Sequence, residues 1–171
     1  MPTDCTLRPA RLDDAPAIAR LHVAVWRETY RHLAPAEAFA KLDEAVRLRS
    51  WTEILATPQP RQSALVAEYD GMLAGFGLAG PSAAAEFGGR AEVKYLYVDG
   101  RFQRRGIGRA LLTRLRQDMA AVGFAGIALA VVNGNDRAVA FYEALGGRCV
   151  GRMTDPGPLW RSDNLLYAWD D

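Results

Sequence analysis

From Leu96 to Leu111 the chain reads Leu-Tyr-Val-Asp-Gly-Arg-Phe-Gln-Arg-Arg-Gly-Ile-Gly-Arg-Ala-Leu, and no other stretch constrains the fold so tightly. An apolar, β-like run leads into a glycine-bearing turn, and the turn opens a helix. The first turn of such a helix carries backbone N–H groups that lack intrahelical acceptors and lie at the positive end of the helix dipole. Glycine at 106 and 108 removes the side chains that would hold an anion away from those amides. Arginines at 101, 104, 105, 109, 114 and 116 make the segment basic, with no carboxylate between Asp99 and Asp118. The physical reading is a phosphate or pyrophosphate cradle on a strand–loop–helix unit.

Two familiar phosphate-binding motifs do not fit. A P-loop needs Gly-x-x-x-x-Gly-Lys-Ser/Thr, and both the lysine and the hydroxyl are missing. A dinucleotide fingerprint needs a third glycine where Leu111 stands, and an acidic residue about 20 positions further on, where residues 124–130 are uncharged.

The cradle is a local feature of a balanced chain. The 171 residues carry 21 Lys+Arg against 20 Asp+Glu, a net charge of +1 with neutral histidines. That balance gives no support to a protein that binds polyanions over its whole surface. The arginine-rich segment has no interleaved aromatics beyond Phe102, so no nucleic-acid partner is expected. Only Lys41 and Lys94 among the basic residues are lysine, a bias read as genome composition. The length predicts a single domain over 1–171, with no room for a second catalytic or partner-binding domain. Cys5 and Cys149 are too few for a disulfide framework and lack metal-ligand spacing, so both are read as inert thiols and no metal is expected. No apolar run approaches the roughly 18 residues of a membrane span, and Met1-Pro2-Thr3-Asp4 has neither the basic start nor the apolar run of a signal peptide. The expected location is cytoplasmic, with no membrane partner.

Pattern and punctuation predict the order of elements. A short strand over 5–9 is followed by a helix whose N-cap is read at Asp13 or Asp14, with Pro16 in its first turn. Ile18, Leu21, His22, Val25, Trp26 and Thr29 form its apolar-to-aromatic stripe. A second helix is predicted from Pro35 to about Leu55. Strands over 63–69 and 72–79 meet at the Asp70-Gly71 turn. A strand over 91–98 precedes the cradle, whose helix runs from near Gly106 to about Val122. A strand over 126–132, a helix from Asn135 to Leu145 closed by Gly146-Gly147, and strands near 148–153 and 163–169 complete an α/β layer protein.

Two motifs carry a family resemblance. Gln103-Arg104-Arg105-Gly106-Ile107-Gly108 matches the pattern Gln/Arg-x-x-Gly-x-Gly/Ala. Asn135, Ala138, Phe141, Tyr142 and Gly146 match a second pattern in the expected order, about 30 residues further on. With these motifs the chain resembles the GCN5-related N-acetyltransferase (GNAT) family. The early helix bearing Trp26, Arg27, Thr29 and Tyr30 resembles members that acetylate small amines. The resemblance implies a GNAT-like acyl-CoA N-acyltransferase fold, a mixed central sheet of about 6–7 strands with helices on both faces. It further implies a splayed parallel strand pair with acetyl-CoA, a co-substrate, in the gap. Leu96, Tyr97 and Val98 would meet the pantetheine arm, and the amides from Arg104 through Arg105, Gly106, Ile107 and Gly108 to Arg109 would take the pyrophosphate. Asn135 would bind the pantetheine or order its loop, a role compatible with capping its helix.

Acetyl transfer to an amine needs a neutral nucleophile, a polarised carbonyl and a proton for the leaving thiolate. A cysteine acyl-enzyme is not required, because two substrates held together react directly. Tyr142, a phenol within the second motif, is the candidate general acid. Glu92 is the candidate base, directly or through water; strand alternation puts it on one face with Lys94, Leu96 and Val98, and a solvated strand end is the competing reading. His22 on the apolar stripe is read as a satisfied core or pocket histidine. The acceptor would be a small-molecule, amino-acid or peptide amine. Glu28, Glu37, Asp43, Glu44 and Glu86 are carboxylates that could attract a cationic amine. The alternative function is a non-catalytic acyl-CoA sensor on the same fold. A homodimer is possible through the C-terminal strand residues Leu165, Leu166, Tyr167 and Trp169, which could equally form a core strand.

Overall fold

The computed structural model describes residues 5–170; the leader reading at Met1–Asp4 lies outside them. Seven strands form one sheet: β1 (Cys5–Pro9), β2 (Ser63–Tyr69), β3 (Met72–Gly80), β4 (Ala91–Val98), β5 (Gly126–Val132), β6 (Arg148–Asp155) and β7 (Ser162–Asp170). Their order across the sheet is β1-β2-β3-β4-β5-β7-β6. All neighbours are antiparallel except β4 and β5.

The helices are α1 (Ala15–Thr29), α2 (Ala36–Lys41), α3 (Glu44–Ala56), α4 (Ile107–Ala121) and α5 (Asp136–Ala144). They divide the core by sheet face. On one side Ile107, Leu111, Leu115 and Met119 of α4 pack with Leu65, Val93, Ile127 and Leu129 of the strands, and α5 joins them through Val139 and Tyr142. On the other, Ile18 of α1 and Trp51 of α3 pack over Val66, Phe76 and Leu78, with Tyr95 and Tyr97 beside them. α1 buries Ile18, His22 and Trp26, and α4 buries Ile107, Leu111, Leu115 and Met119, each at helical spacing.

Local chemistry changes two expectations and decides between two alternatives in a third. The helix expected over 35–55 is two helices, because Leu42 is buried and Asp43 turns extended (φ −132°, ψ 165°) so that its carboxylate accepts from the Val46 amide at 2.7 Å. Asp14 makes no side-chain cap for α1. Its carboxylate instead accepts from the Arg11 amide at 2.7 Å and from the Arg8 guanidinium at 2.8 and 2.9 Å. Finally, β7 lies between β5 and β6, and Leu166, Tyr167 and Trp169 are buried in this chain's own core. They form a core strand rather than a free surface, and β6 takes the sheet edge.

His22 is fully buried on α1, ringed by Phe76, Tyr95 and Tyr97 at centroid distances of 5.3, 4.6 and 5.1 Å. The Trp51 indole N–H donates to its Nδ1 at 3.0 Å, a bond that only the neutral ring with its proton on Nε2 accepts. Burial, with the nearby positive charge of Arg47 adding to it, pulls the imidazole pKa down to about 2. The folded pKa lies below the unfolded value, so the unfolded chain takes up a proton that the folded chain refuses. Stability is therefore complete above pH 6.5 and falls below it, by about 1.4 kcal/mol per pH unit. His22→Gln keeps an acceptor for Trp51 without the titration. Urea unfolding between pH 7 and pH 5 should show the wild type losing stability more steeply than the variant by that slope; parallel curves would contradict this account.

Candidate active site

The parallel pair β4–β5 is joined at only two registers, Ala91 with Ile127 and Glu92 with Ala128. Beyond Glu92 the strands part, because β5 is held along its whole length by β7, from Gly126 opposite Asp170 to Val132 opposite Asn164. From Val93 onward, the β4 edge facing β5 has no ladder partner. The gap is a cleft of about 1410 Å³ that continues over the N-terminus of α4 and along α5.

The floor of the cleft is built by the strand–loop–helix segment. The Asp99 carboxylate accepts from the Arg101 amide at 2.9 Å and pairs with its guanidinium, and Phe102 is buried below. Gln103 Nε2 donates to the Val98 carbonyl at 3.4 Å, and Arg137 of α5 donates to Gln103 Oε1. Arg105 is clamped on Tyr69, donating to the phenol oxygen at 2.9 Å with its guanidinium 4.9 Å from the ring. Two residues take left-handed backbone, Arg104 at φ 61° and Gly106 at φ 78°. The helix begins when the Ala110 amide meets the Gly106 carbonyl at 3.0 Å, leaving the amides of Ile107, Gly108 and Arg109 facing the cleft side.

The two glycines serve different ends. A Cβ on Gly106 would meet nothing within 4 Å, so it would project into the open cradle. One on Gly108 would come within 3.0 Å of the Phe141 ring, so this glycine also lets the first turn of α4 approach α5. Ile107 keeps its side chain in the core and offers only backbone. Of the six arginines, Arg101 and Arg114 are ion-paired with Asp99 and Asp118, and Arg105 is held by Tyr69.

The far wall comes from α5 and α1. Asn135 caps α5 by accepting from the Ala138 amide at 3.3 Å. Tyr142, two turns on, packs edge-on to Trp169 with ring centroids 5.8 Å apart. Three phenols converge here, from Tyr30 at the end of α1, Tyr97 of β4 and Tyr142 of α5. Burial raises the pKa of Tyr142, and the neighbouring Tyr30 raises it further. Burial, with Tyr30, Tyr142 and Tyr95, raises Tyr97; burial also raises Tyr30, opposed by a hydrogen bond with Tyr97. Phenols so placed keep their protons and act as donors rather than bases.

Leu96, Tyr97, Val98, Arg104, Arg105, Gly106, Ile107, Gly108, Arg109, Asn135 and Tyr142 all line this one cleft; Glu92 does not. Glu92 is still paired with Ala128, before the strands part, and a β-bulge sets the face it lies on. Leu78 pairs with Tyr95 but Ala79 with Val93, so Lys94 is an extra residue in β4. Val93 therefore packs on the α4 side together with Leu96 and Val98, and strand alternation reverses across Lys94. Glu92 consequently lies on the opposite face from Leu96 and Val98, at the vertex of the gap. Lys94 and Arg137 also line the cleft, and Tyr69 holds Arg105, although neither motif contains them. Of the proposed acceptor-attracting carboxylates only Glu28 lines the cleft, and it is ion-paired with Arg31.

The acetyltransferase (GNAT) family model matches residues 24–147. This chain belongs to the GNAT family. Among curated relatives, the phosphinothricin N-acetyltransferase of Streptomyces viridochromogenes is 35% identical over 109 residues, 64% of this chain and 60% of that protein. The N-acetyltransferase YuaI of Bacillus subtilis is 29% identical over 140 residues, 81% of this chain and 78% of that one. The GNAT fold recurs in solved structures. The PaiA N-acetyltransferase of Thermoplasma acidophilum in complex with coenzyme A superposes with a TM-score of 0.74 at 19% identity, covering 98% of this chain and 99% of that one. YncA of Salmonella typhimurium with its cofactor acetyl-CoA gives 0.71 at 22% identity, covering 98% and 94%. Among the described residues of this GNAT chain, no group of three His, Cys, Asp or Glu could hold a metal, and no helix is long and apolar enough to cross a membrane.

The left-handed Arg104 marks strain stored in the cradle loop. Glycine adopts that conformation freely, so Arg104→Gly should raise stability by about 1 kcal/mol, seen as roughly 2–4 °C in calorimetric Tm. An unchanged or lower Tm would show that the Arg104 side chain compensates for its backbone.

Proposed function

We propose that the protein is an acetyl-CoA-dependent N-acetyltransferase that acetylates a primary amine of a small molecule, amino acid or peptide by direct attack in a ternary complex. The observation that carries this reading is the unpaired edge of β4 running into the free amides at the start of α4. An extended, amide-bearing arm ending in a pyrophosphate has the chemistry to satisfy both. The open space at the Gly106 Cβ position fits such a group, as do Arg104 and Arg109 on the cleft lining. The names of the relatives and the coenzyme A complexes of the fold neighbours support the same assignment.

Acetyl-CoA supplies the activated thioester carbonyl. The chain's own residues do the rest. Leu96, Tyr97 and Val98 present backbone N–H and C=O groups to the pantetheine arm. The amides from Arg104 to Arg109 take the pyrophosphate, and Asn135 fixes the start of α5 against it. Tyr142 keeps its phenolic proton and delivers it toward the departing sulfur. Glu92 stands at the vertex behind the cleft wall, so it draws off the amine proton through water rather than by contact.

A thiol-release screen over amino acids, polyamines, aminoglycosides and N-terminal peptides tests the function; tight acetyl-CoA binding with no release from any amine would favour the sensor alternative. Tyr142→Phe should leave acetyl-CoA affinity within about twofold while lowering kcat by about 10²-fold. Because the Tyr142 pKa is raised above its ordinary value, the acid form persists through pH 10, and the wild-type rate should show no alkaline decline from this group up to that pH. Full activity of the variant across this range would remove Tyr142 from the chemistry.

A further inference from the structure

Lysine is scarce in this chain, and one of its two lysines stands in the cleft. Lys41 belongs to α2 and is not on the cleft lining, whereas Lys94 of β4 is. The other basic residues there, such as Arg104, Arg109 and Arg137, are arginines, whose guanidinium stays protonated and does not act as a nucleophile. Among the described residues, Lys94 therefore carries the only amine on the cleft wall.

The bulge and the vertex together fix its surroundings. Lys94 is the residue that β3 leaves unpaired between Val93 and Tyr95, and the ladder to β5 has already ended at Glu92. It has no strand partner on either side. Its side chain is exposed and makes no ion pair or hydrogen bond within the described residues, so no structural contact holds the amine in place. The amides at the start of α4 lie past the C-terminal end of β4, and the vertex lies at its N-terminal end. Lys94 thus stands at the opposite end of the open edge from the pyrophosphate site, where the acetyl end of the arm is bound in the proposed reaction. Leu96, the residue assigned to the arm nearest that end, is two strand positions away, about 7 Å, a span that a flexible four-carbon stem covers.

Resting on the proposed acetyl transfer, we propose that Lys94 is itself an acceptor: with no external amine bound, the protein acetylates its own Lys94 Nζ inside the cleft. The uncharged Nζ attacks the thioester carbonyl carbon, the N–C bond forms and the C–S bond breaks. Sulfur takes a proton from Tyr142, and the proton shed by nitrogen returns to the phenol through water. The products are Nε-acetyl-Lys94 and free coenzyme A.

The full chain incubated with isotopically labelled acetyl-CoA, without added amine, tests this when both lysines are followed by peptide mass spectrometry. Lys41 is exposed and outside the cleft, so it reports uncatalysed acetylation. Lys94 should be labelled at least about tenfold faster than Lys41, with one coenzyme A released per label. At saturating acetyl-CoA its rate constant should survive a roughly tenfold dilution of the protein, as a reaction within one chain requires. Excess coenzyme A should suppress it. Lys94→Arg should abolish the fast thiol release seen without amine while leaving Lys41 labelling unchanged. Equal labelling of the two lysines, Lys94 labelling that persists under excess coenzyme A, or a rate constant that falls on dilution would overturn the assignment. An unlabelled Lys94 in a protein that releases thiol with an external amine would overturn this inference alone. An unlabelled Lys94 with no thiol release from any amine would overturn the acetyl-transfer reading with it.

Discussion

The parting of β4 from β5 is the constraint around which the rest of the site is arranged. A sheet interior normally satisfies its backbone through neighbours on both sides, and a buried amide or carbonyl without a partner carries its desolvation cost. Here β5 gives its second edge to β4 for only two registers, and the antiparallel ladder to β7 takes the other throughout. The β4 backbone beyond Glu92 is left as an open edge inside the protein. It neither invites another strand nor closes, because α4 and α5 flank it and the Gly106–Gly108 turn stands at its end. An exposed edge in such a place has the character of a binding surface rather than of an aggregation hazard.

Holding that edge open requires a loop that does not collapse into the gap. Three side-chain contacts brace it: Arg105 on Tyr69 of β2, Gln103 between the Val98 carbonyl and Arg137 of α5, and, within the loop, Asp99 on Arg101. Individually such exposed contacts contribute little to stability. Together they hold Arg104 and Gly106 in left-handed backbone, so that the helix amides are oriented before any ligand arrives. Binding an anion then costs less ordering than it would for a mobile loop.

The legible part of this architecture was the part written in local patterns. The strand patterns bounded β4 and β5 to the residue, and every residue assigned to the cofactor through the family resemblance lines the cleft. What escaped depended on tertiary detail. Nothing in Ala-Glu-Val-Lys-Tyr announces that Lys94 bulges, yet that single extra residue reverses the facing of the strand and moves Glu92 off the face it was expected to share with Leu96. The break between α2 and α3 rests on one buried leucine and one capping aspartate inside an otherwise helical pattern.

Charge and proton chemistry are separated in space within the cleft. At the α4 end the positive potential comes from helix amides and arginines, and it suits a phosphate. At the α1 end, burial strips His22 of its charge and keeps Tyr30, Tyr97 and Tyr142 protonated, so the donors there are neutral. Neutral donors stabilise a negative charge as it develops on sulfur or oxygen without neutralising it beforehand, which is where preorganised dipoles contribute most.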